Sequence, residues 1–173
     1  MEEKKPITHI VAGLIIAALI VLFAIITNFL GLTQQKGLGA LQYLIIIAGL
    51  IFFVHQHGKA NDYTKSFGDL FAFGFKTTAV FTAIYIVFIV LFFLVFPDIK
   101  EKSLEMAREQ MEQNSKLTDS QIDEGVEMAR KFFWVGVVGG STLFFVIIGA
   151  IGSLLGAAIT KKRPTNPFEQ PNA

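Results

Sequence analysis

Apolar and polar residues are sorted into long blocks along this chain. Residues 7–30 are apolar except for Thr8, His9, Thr27 and Asn28 near the two ends. Residues 38–54 form a second apolar block, 77–96 an uninterrupted third, and 132–160 a fourth. A helix needs about 20 mostly apolar residues to cross the hydrocarbon core of a bilayer. The blocks therefore predict an all-α, integral membrane four-helix bundle with spans at about 7–30, 38–54, 68–96 and 132–160, in one membrane domain, 7–163. A signal peptide has an apolar region of about 7–15 residues and a small-residue cleavage site. The first block is longer and shows no such site, so it is read as a retained span.

The breaks between blocks differ in kind. A polar stretch, 1–6, precedes the first span, and 31–37 (GLTQQKG) reads as a tight turn with a glycine at each end. Residues 55–66 are polar and basic. Before the third block, 67–76 (FGDLFAFGFK) is apolar but contains Asp69 and Lys76. A lysine at mid-bilayer costs about 2.5–3.5 kcal/mol on insertion scales, so the hydrocarbon is expected to start near Thr77, with 67–76 as an interfacial entry turn. Ionisable residues in a span are functional suspects by default. For Asp69 and Lys76, anchoring at the interface is the plainer reading.

The long polar run is 97–131, with six basic and nine acidic residues. Its spacing predicts two amphipathic helices folded back as an extramembrane hairpin between the third and fourth spans. Pro97 should end or kink the third span, since its ring lacks a donor and crowds the preceding turn. Residues 114–116 break the hairpin. Thr118 with Gln121 three residues on forms a capping-box signature. One continuous helix is expected from about Asp119 into the fourth span. Glu101, Glu105 and Glu109 recur every four residues and so share a face, which suits a cation, but interleaved basic residues favour a plain solvated face.

Composition sharpens the membrane reading. The chain is 53% hydrophobic and 17% charged, against about 45–50% and 25% in ordinary soluble domains. A net charge of +1 gives no basic field for nucleic acid. The absence of cysteine removes disulfides and thiolate chemistry. The fourth block is rich in glycine. Gly136 and Gly140, and again Gly152 and Gly156, are four apart, and Gly149 adds to a small-residue stripe. Small residues at this spacing let helices approach closely in lipid. The stripe is read as a packing face for the chain's own helices or as an association face for a homo-oligomer.

Four spans place both termini and the second connection on one side. Eight basic residues fall there and seven on the other. Lys4 and Lys5 against Lys36, and the Lys161, Lys162, Arg163 cluster, favour cytoplasmic termini and a periplasmic hairpin. The tail 164–173 is expected to be disordered.

Catalytic patterns are missing: no nucleophile, base and orienting group can be assembled, and no phosphate loop or HExxH run occurs. His55 and His57 are two apart, which on a helix puts them on different faces, and no third metal ligand is in view. No metal, cofactor or enzymatic activity is predicted.

In order, the Ser66-Phe67-Gly68 entry, Gly74-Phe75-Lys76, the Phe96-Pro97-Asp98 exit, Lys102-Ser103-Leu104-Glu105 with Met111, Ser120-Gln121-Ile122-Asp123 and the fourth span closing on Lys161-Lys162 make a pattern. It resembles a four-span family of small membrane proteins catalogued as domain of unknown function number 4199, over about 7–162. The resemblance implies a bacterial inner-membrane protein and no activity. The expected role is protein–protein contact, with an unknown membrane or periplasmic partner besides the lipid bilayer. The alternative is a small transporter or channel subunit, and a membrane enzyme around His55, His57, Asp62 and Asp69 comes third.

Overall fold

The computed structural model describes residues 7–32, 37–113, 117–161 and 163. The expectations for 1–6, 114–116 and 164–173, and for most of the 31–37 turn, fall outside the described residues. The described chain is helical: α1 His9–Phe29, α2 Leu38–Ala60, α3 Phe67–Val95, α4 Pro97–Glu112, α5 Asp119–Lys131 and α6 Phe133–Ile159. Four of these, α1, α2, α3 and α6, are long and apolar enough to cross a membrane.

Helix ends follow local chemistry. Thr8 caps α1, its side-chain oxygen accepting from the Val11 N–H at 3.3 Å. At the start of α3, Asp69 accepts from the Ser66 N–H at 3.1 Å, and Ser66 Oγ accepts in turn from the Asp69 N–H at 3.1 Å. That is a reciprocal capping box, with aspartate in the place of glutamate. The 67–76 entry turn is thus corrected: these residues are the first turns of α3 itself. Pro97 ends α3, forcing Phe96 out of the helical region to φ −120° and ψ 71°, and then serves as the first residue of α4. Thr118 and Gln121 form the full capping box of α5.

Two further boundaries depart from the sequence reading. α2 runs six residues past Val54, because the polar residues from His55 to Ala60 keep their backbone hydrogen bonds even where hydropathy falls. The expected continuous helix from Asp119 into the fourth span is interrupted at Phe132, which has φ −101° and ψ 15°. The break lets α5 lie on α4 while Phe133 turns onto α3, where it meets Phe93 edge-on at 5.1 Å.

The helices divide into two compact units. One draws on residues up to Tyr85 and from Phe145 onward, the other is Ile86–Phe144. The core of the first contains Ile16 and Ile20 of α1, Ile46, Leu50 and Val54 of α2, Leu70, Phe73 and Phe81 of α3, and Phe145 and Ala157 of α6. Glycines set the contacts. Gly13 of α1 faces Val80 and Thr77 of α3, and Gly49 of α2 faces Ile16 of α1. Gly74 of α3 faces Ser153 of α6, and Gly152 of α6 faces Leu50 of α2. These four contacts close a ring, α1–α2–α6–α3, which is a four-helix bundle. Hydrocarbon gives helices no hydrophobic reason to associate, so close backbone approach has to supply the attraction.

The rest of each span faces outward. Leu44 and Leu143 are more than 60% exposed, and Ile10, Leu22, Phe52 and Leu154 are also exposed. Contiguous apolar surface of this extent is untenable in water and is the expected surface of helices solvated by lipid.

Candidate functional site

α4 and α5 form the polar part of the second unit. Arg130 donates from both terminal nitrogens to the two Glu101 oxygens, each at 2.8 Å. Arg108 donates to Glu112 at 3.1 Å and also to Asp123. The inter-helix pairs 101–130 and 108–123 keep a constant sum, so the helices run antiparallel in one register. Leu104 and Ile122 are buried in this pair, at 4% and 5% exposure. Gly125 stands opposite Met111, where a Cβ would come within 2.9 Å of its sulfur.

The two arginines pair with Glu101, Glu112 and Asp123. Arg130's hydrogen bonds hold the Glu101 carboxyl below the usual glutamate range. Glu101 in return raises Arg130, and Asp123 with Glu112 raises Arg108. A groove of about 250 Å³ between α4 and α5 is lined by Glu101, Leu104, Glu105, Arg108, Val126 and Arg130. With Glu101 tied to Arg130, the carboxylates at 101, 105 and 109 do not act as one cation site. A second hollow, of about 450 Å³, is lined by α5 and the turn after it: Glu124, Glu127, Met128, Arg130, Lys131 and Phe132. Met128 and Phe132 are 56% and 51% exposed there. At the ends of the pair, Lys100 sits 5.1 Å from the Phe133 ring centre and Lys131 5.6 Å from that of Phe132. These placements suit lysines that lay their stems on apolar rings and keep the ammonium wet.

The glycine stripe of α6 is not one face. Gly149, Gly152 and Gly156 are buried. A Cβ on Gly149 would stand 2.1 Å from Thr78, one on Gly152 2.8 Å from Leu50, and one on Gly156 2.9 Å from Val54. Gly136 and Gly140 are exposed, and among the described residues nothing outside the local helix lies within 4 Å of where their Cβ atoms would be. The same is true of Gly139. Identical spacing in the sequence therefore serves intramolecular packing in one half of the helix and leaves open surface in the other. The contact glycines of the other spans, Gly13, Gly49, Gly58 and Gly74, have no glycine four residues away and carry no such spacing signal.

Asp69 and Lys76 form no ion pair. Asp69 caps α3. Lys76 is exposed, two residues along from Gly74, whose Cβ would stand 2.9 Å from Val54. Val54 is the last residue before the polar end of α2, so Lys76 lies near the level at which that neighbour turns from apolar to polar.

The buried hydroxyls are mostly turned onto their own helices. Thr77 donates to the Phe73 carbonyl at 2.9 Å, Thr78 to Gly74 at 3.1 Å and Ser153 to Gly149 at 2.6 Å. Thr82 Oγ1 is buried without a partner. Gln42 of α2 shares a hydrogen bond with Tyr85 of α3, whose ring also meets Phe145 edge-on at 4.8 Å.

Three of the residues suspected of catalysis are engaged with other groups. His57 stacks on Phe73 at 4.0 Å, shares a hydrogen bond with the backbone of Ile7 and has a buried, unpartnered Nδ1. His55 lies 6.2 Å from the Tyr63 ring, and Asp69 is held by Ser66. Among the described residues, no three histidine or carboxylate side chains converge as a metal site would require.

Apolar helices exposed to lipid around a glycine-set core define a multi-pass integral membrane protein. The profile of a family described as "Protein of unknown function (DUF4199)" matches residues 12–162, and the chain belongs to that family. No curated protein and no solved structure matches it.

Proposed function

We propose that the chain works by protein–protein contact and catalyses no reaction, with the α4–α5 pair as its contact surface. The reading places it in a bacterial inner membrane, with cytoplasmic termini and α4–α5 in the periplasm. The supporting observation is how the polar pair is built. Its arginines pair with Glu101, Glu112 and Asp123, while α5 offers Met128 and Phe132 beside Glu124, Glu127 and Lys131. Exposed apolar anchors rimmed by charge are the anatomy of an interface core with its rim. The open surface at Gly136 and Gly140 would be a second contact, with another membrane helix or a second copy.

The test is co-purification from the native membrane, comparing the natural chain with Met128→Asp and with a 100–130 deletion, and mass spectrometry of what is retained. Loss of the same protein from both variants supports the reading. An unchanged set of retained proteins removes the α4–α5 surface. The cysteine-free sequence allows the topology to be read directly. Glu109→Cys should react with a membrane-impermeant maleimide from the periplasmic side, and Ala60→Cys should not. The alternative, a small transporter or channel subunit, needs a polar path between helices, and the close approach of Gly149 to Thr78 counts against one at that level.

A further inference from the structure

We infer that the hollow where the ends of α2 and α6 meet seats the phosphate of an anionic glycerophospholipid. This rests on the membrane reading above but not on any protein partner. The hollow, about 410 Å³, is lined by Asp62, Tyr63, Lys161 and Arg163. Two cations against one carboxylate leave it positive, so the occupant is an anion. Its volume is in the range of small-ligand sites, about 300–1,000 Å³, and leaves room for a phosphodiester with its glycerol.

The lining is held in place. The Arg163 N–H donates to the Tyr63 carbonyl at 2.9 Å, which ties the segment after α6 to the α2–α3 loop. The loop is itself locked. Asp62 and Tyr63 are both left-handed, at φ 50° and 59°, and the Tyr63 N–H returns to the Gly58 carbonyl at 2.9 Å. Asn61 donates its side chain to the His57 carbonyl at 2.8 Å. Basic residues beside a span can serve only to set its orientation, and cations after a helix C-terminus offset its dipole. Both roles require charge alone, not a pinned backbone.

The apolar approach selects a lipid over free phosphate. Leu155 and Ile159, four apart on α6 and both exposed, give an apolar face on the last turns of the helix before Lys161. An acyl chain can lie along them while the headgroup reaches the two cations. Free phosphate would make no use of that surface.

The test uses the full chain in phosphatidylcholine vesicles containing spin-labelled phosphatidylglycerol or spin-labelled phosphatidylcholine. The readout is the motionally restricted fraction of each label. A basic side chain at an anionic surface is worth about fivefold, and with Asp62 offsetting one of the two cations the hollow predicts about a fivefold preference for the anionic lipid. Lys161→Gln with Arg163→Gln should bring that preference close to one. Lys100→Gln with Lys102→Gln, the same charge change on α4, should leave it unchanged. Asp62→Asn should increase it, and asparagine tolerates the left-handed backbone there. The inference is overturned if the natural chain shows no preference, if both double variants lower it alike, or if millimolar glycerol 3-phosphate abolishes it. Vesicle flotation separates the two levels: a chain that floats without lipid preference sinks only this inference. One that does not float sinks the membrane reading with it.

Discussion

Substituting alanine at two glycines of α6 should produce opposite effects from the same chemical change. A Cβ on Gly149 would stand 2.1 Å from Thr78 Cγ2, 2.4 Å from its Oγ1 and 2.8 Å from its Cβ. Rotation of the threonine cannot relieve this, since its Cβ is itself too close. The side chain is also β-branched and committed to the Gly74 carbonyl. Overpacking of this kind costs about 1–3 kcal/mol. Gly140 has nothing within 4 Å, so alanine there meets no clash. Alanine gains roughly 1 kcal/mol over glycine in helix propensity at either site. That gain cancels between the two variants, leaving Gly149→Ala less stable than Gly140→Ala by about 1–3 kcal/mol. The assay is reversible unfolding in mixed detergent micelles followed by far-ultraviolet circular dichroism. Thr78→Ala combined with Gly149→Ala should recover much of the loss, since Cγ2 and Oγ1 are then gone. A coupling of more than about 0.5 kcal/mol is expected for residues in contact. Equal midpoints for the two glycine variants, or strict additivity with Thr78→Ala, would refute the packing assigned to the buried half of α6.

Three other outcomes follow from the geometry. Thr82→Val should stabilise the chain by about 1–2 kcal/mol in the same assay, because it removes a buried hydroxyl that has no partner, whereas Thr77→Val, which gives up a bond to Phe73, should show no such gain. Leu104→Ala should cost the α4–α5 pair about 2–5 kcal/mol and speed hydrogen exchange of α4 and α5 amides while leaving α1 and α2 unchanged, since Leu104 is one of only two buried side chains in those helices. The Glu101–Arg130 pair should make the pair's exchange protection pH-dependent. A carboxyl lowered in the folded state contributes stability fully above its unfolded value, about 4.3, and loses it as pH falls through the folded value. Protection should therefore be flat near neutrality and decline in acid, and Glu101→Gln should remove that contribution to the decline.

The spans were legible because bilayer length and helix period act together on long blocks. Each of the four long apolar helices overlaps one apolar block, and Pro97 and the Thr118–Gln121 box mark the end of α3 and the start of α5 through strictly local chemistry. The end of α2 was not legible, because hydropathy reports the solvent around a side chain and not the hydrogen bond of its backbone. Asp69 shows a signal present but overlooked. Its charge drew attention to lipid, while its spacing from Ser66, the same three-residue step as Thr118 to Gln121, already spelled a helix cap. The break at Phe132 has no such marker, since neither proline nor glycine stands there. It arises from what α5 and Phe133 must each reach.

The divided glycine stripe shows where sequence stops and contact begins. Gly136–Gly140 and Gly152–Gly156 have the same glycine spacing in the same helix. What separates them is whether another helix stands opposite, and that is settled by residues far away in the chain: Leu50 and Val54 for one half, nothing among the described residues for the other. Glycine in a helix interior sacrifices about 1 kcal/mol of propensity. The buried half recovers it through backbone approach to α2 and α3. The exposed half shows no such return among the described residues, and an intermolecular return requires a second helix in the membrane. Crosslinking through Gly136→Cys in a chain that otherwise lacks cysteine measures whether a second copy supplies it.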